Sequence, residues 1–145
     1  MTNILCGDIP SNKISLGLLI TRIVLGLGMT LHGYPKIQAP FTWLGDKVPG
    51  IFQALAAGSE FFGGICLILG LLTPIASLGI ISTMIVALFM VHIPQGHPFV
   101  AKGGPSCESA SIYLAFGILF LLCGSGKYSL DTKFNLKSKC PFSNK

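Results

Sequence analysis

Residues 14–31 read ISLGLLITRIVLGLGMTL, an apolar run interrupted by a single charge, Arg22. A helix of about 20 mainly apolar residues crosses the roughly 30 Å hydrocarbon core of a bilayer. A charge near the centre of such a helix costs about 2.5 to 3.5 kcal/mol on insertion scales, so it normally faces a partner or a polar cavity. The stretch therefore predicts a membrane-spanning helix in which Arg22 has a structural or functional role.

The composition extends this prediction to the whole chain. Hydrophobic residues make up 51% of the sequence and charged residues only 10%, which favours an integral membrane protein over a soluble domain. Four stretches are long and apolar enough to span the lipid bilayer: 14–31, 51–72, 74–91 and 107–123. We therefore predict an all-α, integral membrane four-helix bundle that uses residues 1–145 as one membrane domain.

A second charge, Glu60, lies within the second of these stretches. Arg22 precedes Leu31 by nine residues, and Glu60 follows Ile51 by nine. In an antiparallel hairpin both charges would then lie about 13 Å from the same membrane face, so we expect them to neutralise each other. The pair could also be purely structural and fix only the packing of the helices. Small residues on the same helix faces predict that the two helices touch there: Gly26, Gly63 and Gly64.

The lysines predict the orientation of the chain. With four spans the termini share one side of the membrane, and that side carries six lysines: Lys13, Lys127, Lys133, Lys137, Lys139 and Lys145. The opposite loops carry three: Lys36, Lys47 and Lys102. Because basic residues resist translocation, we expect both termini in the cytoplasm, with a basic tail, 127–145, at the anionic headgroups.

The exit of the first span contains two residues that commonly end helices. Gly33 suits the left-handed position after a helix, and Pro35 cannot continue one, so we expect the helix to stop here. Phe41 and Trp43 follow in the loop. They suit the interfacial aromatic belt, although the apolar stretch 40–44 could instead fold into the bundle as a lid.

Polar side chains gather at the outer ends of the predicted helices. His32 would close the first helix, His92 the third, and Glu108 would open the fourth, with Lys36 close by. Together with Gln95, His97 and Cys107 these residues predict the mouth of a small-ligand site, with Arg22 and Glu60 at its base. Each histidine could instead be a headgroup-level or capping residue.

Other chemistries find less support in the sequence. Two histidines at one depth could ligate haem, but His32 lies beside a glycine and a proline, so we do not expect haem. The five cysteines form no Cys-x-x-Cys pair, and we expect no metal site. We expect the basic tail to anchor at the anionic headgroups rather than to bind nucleic acid, because no basic surface with interleaved aromatic residues is expected to face away from the membrane.

The ordered series of motifs resembles the DoxX family of small four-helix membrane proteins. It consists of Arg22-x-x-x-Gly26, His32-Gly33-x-x-Lys36, Glu60-x-x-Gly63-Gly64, Leu69-Gly70-Leu71-Leu72-Thr73, Val91-His92-x-Pro94-x-Gly96, Glu108, and Gly124-x-Gly126-x-Tyr128-Ser129-Leu130-Asp131. The resemblance implies a multi-pass protein of the bacterial inner membrane, and some members of the family are membrane parts of thiosulfate:quinone oxidoreductase or partners of other redox enzymes. The chain departs from the family pattern at Pro74, where an arginine is common, and at Cys107, where an aromatic residue is common.

The residues and the resemblance together predict a membrane subunit of a quinone- or sulfur-linked redox system. The predicted substrate-binding residues are Arg22, Glu60, His32, His92, Glu108 and Lys36, with quinone as the candidate cofactor and no residue assigned to catalysis. Intramembrane charges also mark transport pathways, so a small-solute or proton carrier or channel is an alternative. A further alternative is a non-catalytic scaffold for a partner enzyme. The redox subunit would need a protein partner or a bound quinone, and a carrier would favour a homo-oligomer.

Overall fold

The computed structural model describes residues 11–134, apart from the side chain of Lys47, and every regular element in this range is helical. The elements are α1 (Asn12–Gln38), a short 3₁₀ turn (Gly45–Lys47), α2 (Gly50–Leu69), α3 (Thr73–Val86) with a π-helical continuation (Ala87–His92), α4 (Glu108–Cys123) and α5 (Leu130–Lys133). Consecutive long helices pack on one another, α1 on α2, α2 on α3 and α3 on α4. The predicted all-α fold is confirmed.

The helices have the length and composition of membrane spans. By these criteria α1, α2 and α3 with its π-helical continuation can each cross a bilayer, and α4 is a shorter apolar helix. Large apolar side chains cover the outer surface of the bundle, including Val24, Phe62, Ile75, Phe89 and Ile118. A soluble protein rarely exposes so continuous an apolar surface, whereas lipid tails match it. The fold is therefore that of a helical bundle surrounded by lipid.

The first helix is longer than predicted. It runs through Gly33 and Pro35 to Gln38, and the N–H of Ala39 closes it by donating to the carbonyl of Lys36 at 3.3 Å. The prediction of a stop at Gly33 was wrong because this glycine serves close packing: a Cβ there would lie 2.8 Å from the Cα of Phe61 on α2. Pro35 removes one backbone hydrogen bond, a loss that spanning helices tolerate.

Glycines also bring α1 and α2 together deeper in the bundle. A Cβ on Gly26 would lie 2.7 Å from the carbonyl oxygen of Gly64, and a Cβ on Gly64 would lie 2.6 Å from the backbone nitrogen of Thr30. The predicted contact between Gly26 and Gly64 is thus confirmed. Gly63 faces Ile80 of α3 instead, at 3.5 Å, so only one of the paired glycines serves the α1–α2 contact.

The up-and-down order of the helices gives the bundle two distinct ends. At the first, which we call the terminal end, the start of α1 meets residues 124–134: the N–H of Lys127 donates to Ser15 Oγ at 3.2 Å. At the opposite end, which we call the loop end, lie the connections 39–49 and 93–107. Lys13, Lys127 and Lys133 belong to the terminal end. The other three lysines that the sequence assigned to the side of the termini, Lys137, Lys139 and Lys145, lie outside the described residues.

The turn between α2 and α3 is held by the end of the described chain. Gly70 adopts a left-handed conformation (φ 64°) that ends α2. The carboxylate of Asp131 then accepts from the N–H groups of Leu72 and Thr73 at 2.7 and 2.9 Å, which satisfies two donors at the start of α3. Pro74 occupies the first turn of α3, as the sequence predicted.

Candidate functional site

A buried ion pair joins α1 and α2 at the loop end. Lys36 Nζ lies 2.6 Å from each carboxylate oxygen of Glu60, so one ammonium group contacts both oxygens. The Glu60 side chain is 3% exposed and that of Lys36 is 25% exposed. Glu60 is therefore compensated by a neighbour that still reaches the surface.

The predicted pairing of Arg22 with Glu60 was wrong. Arg22 is fully buried and donates from Nη2 to the backbone carbonyl of Tyr128 at 2.6 Å, near the terminal end. The error arose because the depth of Arg22 was counted from Leu31, where the apolar run ends. The helix α1 continues for seven residues beyond Leu31. The extension places Gly33 rather than Arg22 beside Glu60. The residue that partners Glu60 is Lys36, which the sequence had placed near the mouth of the site.

The connection 39–49 folds over Lys36 and is fastened to α2. The indole of Trp43 lies 4.6 Å from Lys36 Nζ, within range of a cation–π interaction. Gln53, 1% exposed, accepts from the N–H of Leu44 and donates to the carbonyls of Gly45 and Val48, each at 2.7 Å. Trp43 is thus fixed against the site rather than free at the membrane surface. Gln53 was missed by the sequence analysis, although an amide within an apolar span is a signal of a buried polar role.

A cavity of about 240 Å³ opens beside this ion pair, between all four long helices. Its walls combine donors, one carboxylate and apolar side chains: Met29, His32, Lys36, Glu60, Met84, Ala87, His92, Ser109, Ala110 and Tyr113. The structure therefore brings together four of the predicted site residues, His32, Lys36, Glu60 and His92. Arg22 does not line this cavity, and Glu108 begins α4 one residue before the cavity wall.

The two histidines of the cavity have different neighbours. His32 lies within α1 rather than at its end, which corrects the prediction, and its ring meets that of Tyr113 edge-on at 5.9 Å. His92 ends the π-helical continuation of α3, as predicted, and its Nδ1 lies 3.0 Å from Nδ1 of His97. The sequence did not single out Tyr113, because an aromatic residue in an apolar span normally indicates a packing role.

Arg22 belongs to a second polar cluster, at the terminal end. Asp131 is the acidic group whose charge acts on Arg22. Gly70 leaves space for the guanidinium, since a Cβ at this position would overlap Arg22 Nη1. Among the described residues, Nε and Nη1 of Arg22 have no hydrogen-bond partner.

The apolar side chains of Met29, Leu67, Ile80, Met84 and Phe120 form the core of the bundle.

Comparison with known proteins assigns this architecture to a family. The family model described as DoxX matches residues 17–93. The chain belongs to the DoxX family. An uncharacterized protein of Haemophilus influenzae is 35% identical to it over 119 residues, which cover 78% of this chain and 87% of the relative. No solved structure matches the chain.

The DoxX match covers most of the residues that build the cavity. It includes the cavity residues of α1, α2 and α3, among them Lys36, Glu60 and His92. The cavity residues of α4, Ser109, Ala110 and Tyr113, lie beyond the matched segment, as does Asp131. Among residues 11–134, no group of three or more His, Cys, Asp or Glu side chains is arranged to hold a metal ion.

Proposed function

We propose that this DoxX protein is the membrane subunit of a redox system and that its cavity binds the headgroup of a quinone or a similarly small carbonyl compound. The observation that carries the proposal is the mixed lining of the cavity, which combines hydrogen-bond donors with methionines. Its volume of about 240 Å³ lies below the roughly 300 to 1,000 Å³ of sites for drug-sized ligands. A single ring fits this size better than a polycyclic compound.

The donors suit carbonyl oxygens. Lys36, His92 and Tyr113 can each donate a hydrogen bond, and Lys36 has three N–H groups, of which the Glu60 carboxylate occupies two. Met29 and Met84 offer polarizable apolar surface to a ring. Arg22 has no part in this binding mode, in contrast to the sequence prediction.

Transport is less well supported by the same geometry. A proton or solute pathway needs polar groups or water at each depth of the membrane. The apolar core residues Met29, Ile80, Met84 and Phe120 are nearly fully buried, and the two charged clusters lie at opposite ends of the bundle. A scaffold role would require neither the cavity nor its donors.

We further propose that the protein resides in the bacterial inner membrane with its terminal end in the cytoplasm, and that the chain forms one domain. The lysines that the sequence predicts on the side of the termini, six against three in the opposite loops, support this orientation. The cavity, at the loop end, would then open toward the outer side of the membrane. A redox role there requires an electron-transferring partner protein.

Ligand-induced stabilisation in detergent tests the proposal. A short-chain ubiquinone analogue should raise the melting temperature of the purified protein, since a ligand at 100 times its Kd adds about 2.7 kcal/mol. Tyr113→Phe and His92→Ala should weaken this stabilisation, because each removes a donor that lines the cavity. Ser82→Ala, an exposed change on α3 away from the cavity, is the control. If the wild-type protein gains no stability at any concentration, the quinone proposal fails and a scaffold role becomes the better explanation.

A further inference from the structure

The connection 93–107 places a second histidine directly behind the cavity. His97 Nδ1 lies 3.0 Å from His92 Nδ1, with the two rings inclined at 65°. His92 lines the cavity, whereas His97 does not. The residues that flank His97 in sequence, Gly96 and Pro98, are exposed. The pair therefore links the wall of the cavity to the outer surface of the loop.

Hydrogen bonds of the loop hold the backbone of His97 in position. Its N–H donates to the carbonyl of His92 at 3.1 Å, and its own carbonyl accepts from the thiol of Cys107 at 3.4 Å. The N–H of Cys107 donates to the carbonyl of Pro98 at 3.0 Å, which closes the loop at its base. These contacts hold the backbone on both sides of the His97 ring. Cys107, at the position where the family pattern has an aromatic residue, thus has a structural partner.

The contact between the two rings constrains their protons. When two imidazole nitrogens face each other within hydrogen-bond distance, one carries the hydrogen and the other accepts it. The accepting ring is neutral, so at most one ring of the pair is charged in this arrangement. Because Nδ1 of His92 is engaged by His97, Nε2 is the ring nitrogen left to meet a ligand in the cavity.

We propose that His97 positions His92 and exchanges protons between it and the aqueous surface, so that His92 and His97 form a two-imidazole relay to the cavity. A proton enters at His97 Nε2, the hydrogen on His97 Nδ1 moves to His92 Nδ1, and the hydrogen on His92 Nε2 moves to an oxygen of the bound compound. Each ring gains one proton and loses one, so both end as neutral imidazoles. The reverse order removes a proton from a bound hydroxyl.

This inference rests on the proposed function, since it assumes a bound compound whose oxygen gains or loses a proton. The other titratable groups around the pair are distinct from it: His32 and Lys36 on α1, Glu60 on α2, Tyr113 on α4, and Cys107 beside His97. Lys36 and Glu60 neutralise each other, so neither of them acts on His92 as an isolated charge. His97 is the group in hydrogen-bond contact with the His92 ring.

Nitrogen NMR of the protein labelled at histidine tests the pair without any ligand. The chain contains three histidines, so single substitutions assign every imidazole signal. In the wild type we expect one protonated and one unprotonated Nδ1 joined by a coupling through the hydrogen bond. His97→Phe should return His92 to a mixture of tautomers, and Lys102→Gln, an exposed change in the same loop, should leave it unaltered. An unchanged His92 tautomer in His97→Phe overturns the proposal.

Binding of a monocyclic hydroxybenzoquinone tests the relay itself. Stopped-flow mixing with a pH-indicator dye follows the proton that the bound compound exchanges with the solution, across the range of about pH 5 to 8 in which imidazoles titrate. His97→Phe should weaken binding by about three- to tenfold, the effect of one lost hydrogen bond, and should slow this proton exchange. His97→Asn can still hydrogen-bond His92 but cannot pass a proton, so it should keep the affinity and show the same slowed exchange.

The two measurements separate this inference from the proposed function. If the hydroxybenzoquinone does not bind the wild type but the NMR coupling is present, the proposed function fails, the relay fails with it, and the positioning of His92 by His97 stands. If the compound binds and His97→Phe retains both the wild-type affinity and the wild-type rate of proton exchange, the relay and the positioning role are wrong while the proposed function survives.

Discussion

At the scale of single residues, the sequence identified the important charges but not their partners. Glu60 stood out because a carboxylate within a span needs compensation, and the structure supplies Lys36. The pairing could not be read from hydropathy, since the apolar run ends at Leu31 whereas α1 ends at Gln38. Whether a helix continues through a proline depends on its contacts with the neighbouring helix. The local sequence does not show these contacts.

The ion pair predicts coupled effects on stability. Glu60→Gln should lower the free energy of unfolding by about 1 to 3 kcal/mol, less than the roughly 3 to 5 kcal/mol of fully buried pairs because Lys36 still reaches solvent. Lys36→Met should have an effect of similar size, and the double variant should be milder than the sum of the two. Unfolding in detergent by chemical denaturation measures all three values.

A second mutant cycle, between Arg22→Met and Glu60→Gln, is the matched control. The two residues belong to clusters at opposite ends of the bundle, so their effects should add within about 0.5 kcal/mol. A larger coupling between Arg22 and Glu60 than between Lys36 and Glu60 would favour the pairing predicted from the sequence over the one described here.

At the scale of helices, glycines determine how closely the elements approach. The sequence indicated that Gly26 and Gly64 face the α1–α2 contact, and the spacing of small residues was sufficient for that prediction. The role of Gly33 was not predictable in the same way, because its neighbours on α2 depend on the register of the hairpin. Asp131 likewise caps α3 from a distant part of the chain.

Substitution of these glycines should separate packing from helix propensity. Gly64→Ala should destabilise the protein by about 1 to 3 kcal/mol, because its Cβ would meet backbone atoms that cannot move aside. Gly58→Ala, on the same helix, has no atom within 4 Å of the added methyl group and should be neutral or stabilising by up to about 1 kcal/mol. Equal effects of the two changes would contradict the described packing of α1 on α2.

The cap on α3 makes a separate prediction. Asp131→Ala removes the acceptor for two backbone N–H groups and the negative charge near Arg22, so we expect a loss of about 1 to 3 kcal/mol. Asp131→Asn keeps one acceptor oxygen and should lose less. Lys133→Gln, in the same short helix but exposed, serves as the control. Thermal unfolding that is equal for Asp131→Ala and Lys133→Gln would argue against the capping role.

At the scale of the whole molecule, the helical bundle followed from composition and span length, whereas the cavity did not. The sequence placed His32, Lys36 and His92 near one level, yet the depth of Glu60 and the contribution of Tyr113 depended on how the helices pack. The sequence left open whether the stretch 40–44 forms a lid, because the buried amide that fastens the connection 39–49, that of Gln53, lies on the next helix.

Orientation in the membrane is testable with introduced thiols. If the terminal end is cytoplasmic, a membrane-impermeant maleimide applied to intact cells should label Lys102→Cys, in the exposed part of the loop end. Lys133→Cys, exposed at the terminal end, should react only after the cells are permeabilised. Two native thiols of the chain, Cys6 and Cys140, lie outside the described residues. Labelling of Lys133→Cys in intact cells would invert the proposed topology.

The π-helical winding at the end of α3 sets the direction of His92. In this segment the N–H of Ile93 donates to the carbonyl of Leu88 at 2.9 Å, five residues back instead of four. A π-helical turn amounts to one extra residue in an α-helix, and each residue of an α-helix turns the chain by about 100°. If the same residues were wound as a regular α-helix, His92 would be rotated by about 100°, away from the cavity, although no side chain of the cavity had been changed. DoxX relatives that are one residue shorter in this segment should therefore reach the same helix face with regular α-helical winding.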